Sequence, residues 1–67
     1  MSVKNNLKSY RHKYEMNSKE FADFLDINSD QYSRYENNRR QPTLRIALQI
    51  SEKLDEPVNS IFRIAPK

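Results

Sequence analysis

A chain of 67 residues reads as a single domain near the lower size limit for unaided folding; at about 60% burial of its unfolded surface it is marginally stable, and dimerisation would relieve that. It has no cysteine, which excludes disulfides and thiol chemistry and fits a cytoplasmic setting, and it has no apolar run long enough for a secretory signal or a membrane span. Twelve basic against nine acidic residues leave a net charge of +3 and a pI near 9.4, a mild bias towards polyanions and not a basic tail.

Met1 is expected of an intact, unprocessed chain, and Met1–Lys4 is too short for a helix, so it forms an arm or a strand. A first helix is expected from Asn5 or Asn6 to about Tyr14, with Leu7, Tyr10, Arg11 and Tyr14 on one face. The next helix, Ser18 to about Leu25, is announced by Asn17-Ser18-Lys19-Glu20. The Asn17 side chain can accept from the Glu20 N–H while the Glu20 carboxylate reaches back, with Met16 and Phe21 as the hydrophobic staple. Asn28-Ser29-Asp30-Gln31 predicts a second box of the same kind, stapled by Ile27 and Tyr32, at the head of a helix from Ser29 to about Glu36.

After Asn37-Asn38 ends that helix, Asn38 is the residue best able to take the left-handed conformation in a chain without glycine. Arg39-Arg40-Gln41 makes a basic loop, and Thr43 is the N-cap of a fourth helix, Leu44 to about Leu54. Its packing is assigned to Ala47, Leu48, Ile50 and Leu54, with Ser51 small enough to sit among them. Pro57 opens a short fifth helix, Val58 to about Phe62. Arg63-Ile64-Ala65 alternates as a strand does, and Ser2-Val3-Lys4 is its obvious partner. The expected fold is all-α, one five-helix domain over residues 1–67 with the helix-turn-helix at residues 17–36. A terminal two-stranded hairpin, Ser2–Lys4 with Phe62–Ile64, would complete it.

The Ser29–Glu36 helix is unusual in composition. Tyr32 and Tyr35 alone form its apolar stripe, and Ser29, Asp30, Gln31, Ser33 and Arg34 all carry hydrogen-bonding groups. Solubility does not need that variety, but reading base edges does. Arg34, Arg39 and Arg40 cluster at and after this helix, while the acidic Glu52, Asp55 and Glu56 lie elsewhere in the chain.

The run Asn17-Ser18-Lys19-Glu20-Phe21-Ala22, Leu25-Asp26-Ile27-Asn28, Ser33-Arg34-Tyr35-Glu36-Asn37-Asn38 and Pro42-Thr43-Leu44 resembles, without gaps, the Cro/CI-type (XRE) helix-turn-helix family. The likeness continues through Ala47-Leu48 to Val58-Asn59-Ser60-Ile61-Phe62. The size, the Asn5-Asn6-Leu7-Lys8 opening and the short tail are most similar to the small cytolysin-repressor type. The resemblance implies a lambda-repressor-like domain that forms a homodimer with one recognition helix per subunit in successive major grooves, about 34 Å apart. It places Ser29, Asp30 and Arg34 at base edges, with Gln31 and Ser33 as further base contacts. Ser18, Asn28, Asn37, Arg39 and Arg40 are assigned to phosphates. Arg11 and Glu36 match a structural pair bridging the first helix to the end of the recognition helix, and Ile61, Phe62 and Ile64 are the expected dimer interface. The chain departs from the family pattern in having Ser18 where Gln is usual, Asp26 and Asn38 where Gly is usual, and Tyr32 and Tyr35 where Ile or Val is usual.

Structural roles compete with several of these assignments. Asp30 can simply complement the positive helix N-terminus. Tyr10, Tyr14, Tyr32 and Tyr35 are assigned to the core, the last two with hydroxyls reaching solvent or a phosphate. His12 lies between Arg11 and Lys13 as a surface residue, and no second His or Cys could complete a metal site with it. With one His and no Gly-rich loop, neither an activated nucleophile nor a phosphate cradle can be built, so an enzyme is rejected. The expected partner is double-stranded DNA, with no cofactor, small-molecule ligand or membrane. The first reading is a sequence-specific regulator, more readily a repressor than an activator because no second domain is evident. The alternative is a protein-interaction module of the same fold, an antitoxin or anti-repressor partner with weak or autoregulatory DNA binding.

Overall fold

A computed structural model describes residues 2–66. In chain order the elements are β1 (Ser2–Asn5), α1 (Leu7–Lys13), α2 (Ser18–Leu25), α3 (Ser29–Glu36), α4 (Leu44–Leu54), α5 (Val58–Ile61) and β2 (Phe62–Ala65). The strands pair antiparallel with Ser2 opposite Ala65, Val3 opposite Ile64, Lys4 opposite Arg63 and Asn5 opposite Phe62. The all-α fold with a terminal hairpin is therefore as expected, and the hairpin is one residue longer on each strand.

Local chemistry explains where the helices begin. The Asn17 side chain accepts from the Glu20 N–H at 2.8 Å, and the Glu20 carboxylate accepts from the Asn17 N–H at 2.9 Å. Thr43 Oγ1 accepts from the Ile46 N–H at 3.2 Å, and such a cap contributes about 1 kcal/mol. The box at Asn28 is only half formed. Asn28 Oδ1 accepts from the Asp30 and Gln31 N–H groups, but the Gln31 side-chain oxygen is buried without a hydrogen-bond partner among the described residues.

The same economy governs where helices end. α1 to α4 each stop at a left-handed residue that is not glycine: Glu15 (φ 56°), Asp26 (φ 60°), Asn38 (φ 59°) and Asp55 (φ 55°). The N–H of the following residue then reaches back to satisfy a carbonyl of the last turn: Met16 to Arg11, Ile27 to Ala22, Arg39 to Arg34 and Glu56 to Ser51. This is the Schellman arrangement, usually built on glycine.

Leu7, Phe21, Ala22, Leu25, Tyr32 and Ile50 are fully buried in one core, closed by Ile27, Tyr35, Ala47, Leu54, Ile61 and Phe62. Tyr32 takes the central place that a branched aliphatic residue usually fills, its ring edge-on to Phe21 with centroids 5.5 Å apart.

Several expectations need correction. Asn5 belongs to β1 and α1 begins at Leu7, because the Asn5 side chain accepts from the Leu7 N–H. Phe62, expected both at the end of the fifth helix and at the start of the hairpin, starts β2 and does not end α5. Leu48 is 48% exposed: it lies outside the buried stripe of Ala47, Ile50 and Leu54 on α4. Tyr14 is also exposed at the core's edge, with its ring 5.3 Å from that of Phe24.

Candidate nucleic-acid interface

α2 and α3 are joined by Asp26-Ile27-Asn28, and the left-handed Asp26 sets the angle between them. Gln49 of α4 locks this turn from behind, donating to the carbonyls of Leu25 (2.9 Å) and Asp26 (3.0 Å). α3 is anchored on its inner side by Tyr32 and Tyr35, both buried. Its outer side carries Asp30 and Arg34, both exposed, with Ser29, Gln31 and Ser33 half-buried at the margins. The five residues expected to read bases therefore share one short helix, with Asp30 and Arg34 as its most prominent groups.

The residues assigned to phosphates flank that helix. Ser18 lies in the first turn of α2 and Asn28 caps α3. The Asn28 oxygen is occupied by the α3 N–H groups, which leaves its amide nitrogen as the donor. Asn37 turns its amide inward to the Ser33 carbonyl at 2.9 Å, so it stiffens the end of α3 in this conformation. Arg39 and Arg40 are exposed, and their side chains make no hydrogen bond or ion pair among the described residues.

Arg11 and Glu36 meet across the first and third helices. Arg11 Nε lies 2.7 Å from Glu36 Oε1, and Nη2 lies 3.4 Å from Oε2. Arg11 Nη1 also donates to the Met16 carbonyl. The pair is largely withdrawn from solvent, at 15% and 10% side-chain exposure. The Tyr32 hydroxyl donates to the same Glu36 oxygen at 2.6 Å, so it faces inward, contrary to the expectation that it reaches solvent or a phosphate. Burial pushes the Glu36 carboxyl up, but the hydrogen bonds from Arg11 and Tyr32 and the Arg11 charge outweigh that and hold it below its ordinary value. The hydrogen bond to Glu36 correspondingly raises the Arg11 guanidinium, and burial followed by the Glu36 bond raises Tyr32. Glu36, the last residue of α3, is thus an anion already neutralised within the protein.

Of the three residues expected at a dimer interface, Ile61 and Phe62 are buried within the chain at 1% and 8% exposure, and Ile64 is exposed at 66%. Among the described residues, Leu44 and Leu48 on α4 are the other strongly exposed aliphatic side chains. His12 is exposed. No group of three or more metal-ligating side chains occurs among the described residues, and none of their helices is long and apolar enough to cross a membrane.

Three contributors to this arrangement were invisible to sequence reasoning. Asn5 donates to the Tyr35 carbonyl at the end of α3, Gln41 donates to Val3 and Asn38, and Gln49 braces the turn. All are side-chain amides bonding to distant backbone or loop oxygens, a pairing with no periodic signature. Among known proteins, the helix-turn-helix family model matches residues 7–61 of this chain. No curated protein matches it significantly.

Proposed function

This chain belongs to the helix-turn-helix family, in its XRE class of DNA-binding regulators, and we propose that it is a sequence-specific, homodimeric repressor reading a two-fold symmetric operator in the major groove. The observation that carries this reading is the division of α3: Tyr32 and Tyr35 are buried, while Asp30 and Arg34 stand exposed among Ser29, Gln31 and Ser33. In this reading Arg34 bonds guanine O6 and N7, a contact worth about 1–3 kcal/mol of discrimination, and Asp30 accepts from a cytosine amino group. Ser18, the Asn28 amide, Arg39 and Arg40 hold the phosphate backbone on either side. Repression needs only occupancy of an operator overlapping a promoter, which DNA binding by this domain alone supplies.

Selection of random duplex DNA by the purified protein tests the proposal, followed by salt titration on the winning and a scrambled duplex. A palindromic motif with half-sites one helical turn apart is expected, with a salt slope counting the phosphate contacts. Equal binding to both duplexes would sink the specific-repressor reading.

A further inference from the structure

The end of α3 is tied to the N-terminal strand by two side-chain amides. Asn5 donates from Nδ2 to the Tyr35 carbonyl at 2.9 Å, across 30 residues of sequence. Its Oδ1 accepts from the Leu7 N–H at 3.1 Å, so one amide joins the start of α1 to the end of α3. Asn5 is itself held in register opposite the buried Phe62. Gln41 closes the other side of the same loop: its Nε2 donates to Asn38 Oδ1 at 3.0 Å and lies 3.4 Å from the Val3 carbonyl. Between these two ties lie Arg39 and Arg40, whose backbone N–H groups both reach the Arg34 carbonyl, at 2.8 and 3.3 Å. The backbone of the basic loop is thus secured on three sides, while its guanidinium groups remain free of protein partners among the described residues.

From this we infer that Asn5 and Gln41 are positioning residues for DNA binding: they brace the basic loop so that Arg39 and Arg40 meet phosphates together. The inference rests on the proposed phosphate role of those two arginines. Charge-assisted bonds from a guanidinium to an anionic oxygen are short, about 2.7–2.9 Å, so a loop free to shift by an ångström or two loses simultaneous contact. The base-reading side chains of α3 are held separately, by Tyr32 and Tyr35 in the core and by the Asn28 cap. Loosening the brace therefore weakens phosphate contact without changing which bases are preferred.

Asn5→Ala and Gln41→Ala test this, each alone and in an Arg39→Ala/Arg40→Ala background, by duplex affinity against salt on the selected and scrambled sequences. Each single change should lower affinity for both duplexes by the same factor and make the salt slope shallower by about one phosphate contact. The ratio between duplexes should stay constant, and the effect should vanish once both arginines are gone. A slope left unchanged, or a loss that persists without the arginines, overturns the brace. Asn5→Ala also removes the acceptor for Leu7, so circular dichroism checks its fold. If it unfolds, Gln41→Ala, an exposed position, decides the question alone. If Arg39→Ala/Arg40→Ala itself leaves the slope untouched, the phosphate assignment fails first, and the brace falls with it.

Discussion

Arg11 and Glu36, 25 residues apart, form a two-point ion pair with Nε to Oε1 at 2.7 Å, and this contact fastens the first helix to the last turn of α3. The third partner is Tyr32, whose hydroxyl shares the Glu36 oxygen. Removing one member strands the other. Arg11→Ala leaves a nearly enclosed carboxylate with only a tyrosine hydroxyl, a loss expected to cost about 3 kcal/mol. Tyr32→Phe leaves Glu36 paired with Arg11 and should cost only about 1 kcal/mol. Urea denaturation of the two variants checks the order, and a smaller loss in Arg11→Ala than in Tyr32→Phe contradicts it.

The same cluster sets part of the acid response. In the unfolded chain the Glu36 carboxyl titrates near its ordinary 4.5, and in the folded chain lower. Acid therefore protonates the unfolded form more readily and draws the equilibrium towards it. The stabilisation from Glu36 is complete above about pH 4.5 and is lost as pH falls through the folded value. The urea midpoint of Glu36→Gln, lower throughout, should accordingly fall less steeply between about pH 5 and 3 than that of the parent protein. Parallel curves would assign the acid sensitivity to other carboxylates.

Four helix ends built on non-glycine left-handed residues are four places where stability can be gained. The left-handed conformation costs an ordinary L-residue about 1–2 kcal/mol, and Asn or Asp less, because their short side chains bond locally. Glycine removes that strain but adds about 0.5–1 kcal/mol of unfolded-state entropy. Glu15→Gly should therefore raise the melting temperature most. Asp26→Gly and Asp55→Gly should gain less, and Asn38→Gly should gain nothing, since it also loses the bond from Gln41. Thermal melts rank the four directly.

Arg34 and Arg39 should differ in kind. Arg34→Ala is expected to reduce the preference for the selected duplex over a scrambled one by about 1–3 kcal/mol. Arg39→Ala should weaken both duplexes alike and lower the salt slope by about 0.9. Binding isotherms at three salt concentrations separate the two behaviours, and an unchanged preference in Arg34→Ala would move base reading elsewhere on α3.

The proposed homodimer gives Ile61 and Ile64 opposite expectations despite their proximity. Ile61 is buried and Ile64 exposed. Ile61→Asp should unfold the protomer, whereas Ile64→Asp should leave it folded and shift sedimentation towards monomer. A folded Ile64→Asp that remains dimeric would place the contact elsewhere, and the exposed Leu44 and Leu48 of α4 would be tried next.

Most of the architecture was legible because its signals are local. The capping box at Asn17 and Glu20, the Thr43 cap and the apolar spacing of α2 operate within one or two turns, so neighbouring residues suffice to reveal them. Asn38 was foreseen as left-handed for the same reason. Glu15 and Asp55 were not: glutamate has no leaning to that conformation, and aspartate tolerates it in turns of many kinds, so Asp55 alone does not mark a helix end. Phe62 suits either the end of the fifth helix or the start of the strand by its apolar side chain, and its pairing with Asn5, a contact between the two ends of the chain, decides for the strand.

By itself, the order of residues determined the helix starts, the amphipathic faces and the polar identity of α3, all of which arise from short-range hydrogen bonds and spacing. Only the tertiary structure decided which polar groups are spent inside the protein: Tyr32 on Glu36, Asn5 on Tyr35, Gln49 on the turn between α2 and α3. It also decided that Ile61 and Phe62 are covered while Leu44, Leu48 and Ile64 are not. The physical reason is that burial and long-range hydrogen bonding depend on which surfaces meet after the chain folds, and two identical local patterns can meet different neighbours.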